Sequence, residues 1–174
     1  MTRYNDHKSR THTAMLRDPV LELLRRKVTP ELYCEVRGLW QEHSKAEDRR
    51  DIPGLLATLT DDCVYELFPG GKRWTGHAGA EQFYTELLTA FPDVKFRLTD
   101  IVIGPQGVCE EAVVTATHLG DWLDYPASGR CVEFKVVIFF PWDLERKRFR
   151  GEKIYLDAHE QALGGGKGVR QSVD

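Results

Sequence analysis

The chain has 174 residues, of which 41% are hydrophobic and 29% charged, and its formal net charge is −3. This is ordinary soluble composition, enough for one domain with a real core and too short for two comfortable ones. The charge balance gives no electrostatic case for nucleic acid or an anionic membrane, and no apolar run approaches the ~18 residues of a membrane span. Four cysteines (Cys34, Cys63, Cys109 and Cys131) are far apart, and none forms a CxxC pair. Three of them lie in strand-like apolar runs, so buried reduced thiols are expected rather than a zinc or disulfide framework. The polar start lacks the apolar core of a secretion signal, which makes the cytoplasm the expected compartment.

Residues 1–17 are polar and without period, and are expected to be mobile. Asp18-Pro19 can start a short helix with Leu21, Leu23 and Leu24 on one side, ended by Arg25-Arg26-Lys27. Residues 1–28 thus read as an arm that packs on the domain or on a second subunit. Residues 29–163 read as the folded body, and 164–174 as a Gly-rich flexible tail. The body opens with a strong helix signal: Thr29 as cap, Pro30 in the first turn, Glu31 at the positive end of the dipole. Leu32, Val36, Leu39, Trp40 and His43 follow at helical spacing, which sets His43 on or beside the apolar stripe. Asp51 caps a second helix through Leu55, Leu56 and Leu59. Cys63 to Leu67 is a short strand, broken by Pro69-Gly70-Gly71. A third helix carries the stripe Phe83, Tyr84, Leu87 and Leu88, and Phe91-Pro92-Asp93 stops it.

Strands then follow one another. Val94 to Ile103 alternates, Gly104-Pro105-Gln106-Gly107 turns, and Val108 to Leu119 is a second long strand. Cys131 to Phe140 is a third, with Val132, Phe134, Val136, Ile138 and Phe140 on one face. Its other face is only half polar, which suits partial pairing with another subunit. Phe149 to Leu156 is the last strand. Helices first and strands last indicate α+β, not alternating α/β, and a curved sheet around helices leaves a cavity for a small molecule.

The ordered set Trp40-x-x-His43, Ala46-Glu47, Asp51, Asp62-x-Val64-Tyr65, Pro69-x-Gly71, Trp74-x-Gly76, Phe83-Tyr84 and Phe91-Pro92-Asp93 resembles the SnoaL-like branch of the NTF2-like superfamily. So do Thr117-His118-x-Gly120, Ser128-Gly129-Arg130-x-Val132-x-Phe134 and Ile154-Tyr155-x-Asp157; the match spans about residues 36–163. The resemblance implies an α+β, NTF2-like cone-shaped barrel, with three N-terminal helices packed on a strongly curved antiparallel sheet. It also implies an apolar pocket between the layers, homodimers formed through the sheet, and no metal or organic cofactor.

Fold alone does not settle function, because the superfamily includes isomerases, cyclases, dehydratases, epoxide hydrolases and non-catalytic binding proteins. Transferred position by position, the oxyanion tyrosine of the ketosteroid isomerases falls on His43, and their two carboxylates fall on Leu67 and near Val136. The acid–base aspartate of the SnoaL-type cyclases falls on Ile154, with Glu152 and Leu156 on the same face. The carboxylates are missing at all three positions, which argues against those chemistries in their usual form. No Asp–Arg–Asp set of the epoxide-hydrolase type can be assembled.

The remaining catalytic candidates are His43, Glu47, Tyr65 and His118. A histidine at the isomerase position can donate to a carbonyl or move a proton near neutral pH, or simply bond a backbone carbonyl at the helix–sheet boundary. Glu47, one turn on, could hold its ring in one tautomer or lie solvated at the helix end. Tyr65 could donate to a ligand oxygen or pack in the core. His118 could sit at the cavity mouth or bond its own loop. Trp40, Leu67, Trp74, Phe91, Trp122, Val136, Ile154 and Leu156 are the expected apolar lining. Asp157 reads as an anchor for the C-terminal segment. The expected partner is a small apolar or carbonyl-bearing ligand, and the expected reaction type is proton transfer beside that carbonyl. The rival reading is a non-catalytic binding or assembly module. A wholly apolar, closed cavity favours the rival; His43 converging with a second titratable group favours the enzyme. Gly70-Gly71-Lys72 is no phosphate loop, and Gly164 to Gly168 follows no strand and opens no helix.

Overall fold

The computed structural model describes residues 19–156. The sequence readings on residues 1–18 and 157–174, including Asp157 and the tail, lie outside them. Four helices, α1 (Pro19–Arg25), α2 (Pro30–Asp48), α3 (Ile52–Leu56) and α4 (Gly76–Ala90), accompany six strands. The strands are β1 (Leu59–Phe68), β2 (Lys72–Thr75), β3 (Lys95–Gly104), β4 (Gly107–Thr117), β5 (Cys131–Asp143) and β6 (Arg148–Leu156). They form one curved, unclosed sheet in the order β2-β1-β6-β5-β4-β3.

Helix α2 begins as its sequence dictates. Thr29 is extended and its Oγ1 accepts from the Leu32 N–H at 3.2 Å, with Pro30 in the first turn. Its buried face carries Val36, His43 and Ala46. Asp51 caps α3 by accepting from the Gly54 N–H at 3.0 Å. Helix α4 buries Ala80, Phe83, Tyr84, Leu87 and Ala90 against the sheet. Together α2 and α4 cover the inner face of the strands.

The sheet is antiparallel except where β1 and β6 pair in parallel. That central pair decides the site. It sets Tyr65 opposite Glu152 and Leu67 opposite Ile154 in register, after a register shift between Leu59 and Val64. Gly151 allows the approach: its φ is +104° and an added Cβ would meet the Val64 carbonyl oxygen. The strand β2, only four residues long, is one that no period in Lys72-Arg73-Trp74-Thr75 announces.

Helix α1 packs on the domain itself. Arg26, just past it, donates to the Pro105 carbonyl at 3.3 Å, and Gln106 donates to the Leu23 carbonyl at 2.8 Å. The thiols differ from expectation. All four are free, but only Cys63 is buried, while Cys109 is half-buried and Cys34 and Cys131 are exposed. Cys131 opens β5 on its outward face, alternating with the inward Val132. No helix among the described residues is long and apolar enough to cross a membrane.

Candidate functional site

A cavity of about 30 Å³ lies between α2, α4 and the inner sheet face. Its wall includes Leu67 from β1, Phe83 and Leu87 from α4, Val136 and Ile138 from β5, and Ile154 and Leu156 from β6. Phe91, which follows α4, and Trp122, from the connection after β4, complete much of the rest. Two carboxyl side chains, Glu47 and Glu152, interrupt this apolar lining. Trp122 is 3% exposed, and its Nε1–H has no hydrogen-bond partner among the described residues.

Glu47 also borders a second, polar cavity of about 70 Å³, which it shares with Trp40, His43, Ser44, Asp48 and Glu110. Trp40 donates to Glu110 at 2.7 Å, tying α2 to β4. Burial raises the Glu110 carboxyl to about 7, against the pull of the Trp40 N–H, and the Glu152 charge adds to the rise. The Glu47 carboxyl is raised well above the ordinary range, first by burial and then by Glu152 and Glu110. Both causes favour its protonated form.

Behind Glu152 runs a continuous hydrogen-bonded chain. Glu152 Oε1 accepts from the Tyr84 hydroxyl at 2.7 Å and lies 3.1 Å from His43 Nε2. The Tyr84 hydroxyl is 3.0 Å from His43 Nε2 and 3.0 Å from the Tyr65 hydroxyl. His43 Nδ1 is 2.7 Å from Thr58 Oγ1, which in turn donates to the Leu55 carbonyl at 2.7 Å. His43, Tyr65, Tyr84, Thr58 and Glu152 are all buried. Burial first, and the Glu152 charge second, hold both tyrosine hydroxyls well above their ordinary range, so both remain donors.

The structure thus brings together Leu67, Phe91, Trp122, Val136, Ile154 and Leu156 on the cavity wall, with Glu47 among them. The other expected residues sit elsewhere. His43 and Trp40 border the polar cavity. Thr58, Tyr84 and Glu152 hold the His43 ring; its bonds run to these side chains and not to Glu47 or to a backbone carbonyl. Tyr65 joins the site through its contact with Tyr84. Trp74 packs on Phe83 with ring centroids 5.1 Å apart, one layer behind the wall. His118 is fully buried, stacks on Phe91 at 5.0 Å, and its Nδ1 lies 3.3 Å from the Ser128 hydroxyl. It bonds its own loop, and Phe91 is the residue it supports. Glu152, Tyr84, Thr58 and Glu110 complete the site. Alternation along β6 already puts Glu152 on the face of Ile154, the one signal that could have found it. Among the described residues no cluster of His, Cys, Asp and Glu is arranged to hold a metal ion.

A curved, unclosed sheet covered by helices on its inner face is the architecture of the NTF2-like fold. The chain belongs to the SnoaL-like polyketide cyclase family, whose model matches residues 26–160. The fold is shared with AclR, a candidate hydroxylase from Streptomyces galilaeus, at 21% identity over 75% of this chain and 93% of that one, with a TM-score of 0.60. A SnoaL-like polyketide cyclase candidate from Jannaschia sp. CCS1 is similar at 16% identity, over 81% of this chain and 99% of that one, with a TM-score of 0.70. TerC, crystallised with polyporic acid, is similar at 13% identity, over 75% and 99% of the two chains, with a TM-score of 0.60. No curated protein matches the chain in sequence.

Proposed function

We propose that the protein takes a small, mostly apolar, oxygen-bearing ligand into the inner cavity and moves a proton beside its carbonyl group, as in isomerisation, cyclisation or dehydration. The observation that carries this is the pair of carboxyl side chains, Glu47 and Glu152, in a wall that is otherwise apolar. Protonated Glu47 donates to the ligand oxygen. Glu152, held by His43 and Tyr84, takes the proton from the neighbouring carbon. The buried Trp122 N–H on the same wall, without a partner among the described residues, supports an oxygen-bearing ligand. At about 30 Å³ the cavity holds roughly one water, so the ligand enters by displacing half-buried wall residues such as Phe96 and Leu156. Homodimerisation through the outer sheet face, where Val137 and Phe139 are only half-buried, belongs to the same proposal.

That small volume, with Leu67, Val136 and Ile154 at the transferred carboxylate positions, favours a second reading: a non-catalytic small-molecule-binding or assembly module. A thermal-shift panel of cyclic ketones, polyketide-like aromatics, sterols and small epoxides separates the two, because a ligand of the folded state raises the midpoint. Any ketone that shifts it is then incubated in deuterated water, and label beside its carbonyl is read by mass spectrometry. Proton transfer requires incorporation that Glu47→Gln and Glu152→Gln abolish. Binding with no protein-dependent incorporation overturns catalysis in favour of the second reading, and no shift across the panel overturns the ligand class itself.

A further inference from the structure

The hydrogen-bond network behind the cavity fixes where protons must be. Thr58 has one hydroxyl hydrogen, and it is committed to the Leu55 carbonyl 2.7 Å away, which also accepts from the Thr58 N–H. Thr58 Oγ1 can therefore only accept from His43, 2.7 Å from Nδ1, so Nδ1 carries a hydrogen. The opposite nitrogen, Nε2, faces two oxygens: Glu152 Oε1 at 3.1 Å and the Tyr84 hydroxyl at 3.0 Å. The single hydrogen of Tyr84 goes to Glu152, at 2.7 Å the shortest contact of the three. Tyr65 supplies the hydrogen of its own contact with Tyr84. Without one further proton, the Nε2 lone pair would point at a carboxylate oxygen and a phenol oxygen, buried and with no donor between them.

We infer that His43 and Glu152 share one proton in the resting protein, so that the pair is electrically neutral as a unit. The surroundings agree. The His43 ring lies edge-on to Phe140 and Phe149, with centroids 5.4 and 6.3 Å away, and both partners of the pair are under 5% exposed. Glu47, Asp48 and Glu110, the other carboxyls that reach the polar cavity beside His43, bond neither ring nitrogen. Buried to this degree, an unbalanced charge would be costly.

This deepens the proposed reaction and rests on that reading for its use, though not for its proof. The C–H bond beside the ligand carbonyl breaks and its proton goes to Glu152, while the O–H of Glu47 breaks and its proton goes to the ligand oxygen, giving the enol. His43 retains the shared proton as imidazolium. The positive His43–Glu152 pair then faces the Glu47 carboxylate, and the site as a whole stays neutral throughout. His43 is accordingly a positioning residue that acts through Glu152. An ionised Glu152 beside a neutral ring would accumulate no compensating charge.

Nitrogen-15 NMR of the ligand-free protein, with the His43 signal assigned by its loss in His43→Gln, tests the proton count directly. At neutral pH both ring nitrogens are expected to carry or share a proton, with Nδ1–H present. In Glu152→Gln, whose amide can donate to Nε2 and keeps the shape, the ring is expected to become neutral with its hydrogen on Nδ1. A neutral ring with hydrogen on Nε2 in the native protein would overturn the inference, because Thr58 would then donate to Nδ1. A neutral ring beside an ionised Glu152, read from the carboxyl carbon-13 shift, overturns it as well. So does a doubly protonated ring that persists in Glu152→Gln. None of these readings depends on a ligand, so they stand or fall apart from the thermal-shift and deuterium results.

Discussion

Two ion-pair contacts made by α2, one buried and one exposed, have similar geometry and different physics. On the inner face, His43 Nε2 is 3.1 Å from Glu152, with the two side chains 2% and 4% exposed. On the outside, Lys147 Nζ is 2.6 Å from Glu35, with the side chains 59% and 40% exposed. The outer pair is the shorter, yet burial and not distance sets what a contact is worth. Water replaces a lost partner outside, and nothing replaces it inside. The largest expected effect follows: Glu152→Ala strands the His43 ring and the Tyr84 hydroxyl together. A loss of roughly 3–5 kcal/mol in chemical denaturation is expected. A loss below about 1 kcal/mol would show that water enters and that the inner face is less isolated than the geometry requires.

The inner face itself divides between the donors around Glu152 and the poorly compensated Glu110. Glu110 has one hydrogen bond, from Trp40, and its carboxyl rises from the ordinary 4.5 to about 7. The sign follows from a raised acid. Between about pH 4.5 and 7 the folded protein keeps a proton that the unfolded chain has released. This contribution is fully present below the lower value and is lost as pH rises through the upper one. A shift of this size corresponds to about 3 kcal/mol, and Glu47, raised in the same direction, adds to the slope. Glu110→Gln is expected to flatten the fall in stability over that window, read as unfolding midpoints across a pH series. An unchanged slope would assign the window to Glu47, the other raised acid of the polar cavity. Next in size, Tyr84→Phe removes the middle of the hydroxyl chain and should cost about 1–3 kcal/mol. Tyr65→Phe removes only its end and should cost about 1 kcal/mol. Equal losses would mean that Tyr84 does not link Tyr65 to Glu152.

The same contrast explains what was legible in the sequence. Local signals are strong where one element decides its own fate. Thr29-Pro30-Glu31 starts α2, and alternation along β5 and β6 accompanies Val136, Ile154 and Leu156 on the cavity wall. The partners of His43 lie 15, 41 and 109 residues away, and no periodicity joins them. Tyr84 shares the apolar stripe of α4 with Phe83, where a buried hydroxyl leaves no mark on the pattern. Thr58 sits between α3 and β1, in neither period. Glu152 reaches His43 because β6 runs parallel to β1, a pairing fixed by the whole chain. Transfer of family positions looks for a carboxylate at Ile154, and the one present is Glu152, two residues earlier on the same face of β6. The spacing from His43 to Glu47 suggested a pair within α2, but β6 brings in a stronger partner and leaves Glu47 to the cavity wall.

The smallest expected effect closes the comparison from the outer side. Lys147 reaches Glu35 on α2 from the turn between β5 and β6, and its own φ of +53° is uncommon for a side-chain-bearing residue. Removing the ammonium alone, as in Lys147→Met, leaves the backbone strain in place and should cost roughly 0.2–1 kcal/mol, diminishing with added salt. Lys147→Gly removes the charge and relieves the left-handed backbone together, so these two changes offset each other. If Lys147→Gly is no less stable than the native protein while Lys147→Met is slightly weaker, the turn is held by its hydrogen bonds and the exposed pair is incidental to it. If both lose several times the expected amount, the short contact is worth more than its exposure allows. Burial would then no longer be the variable that separates the buried pair from the exposed one.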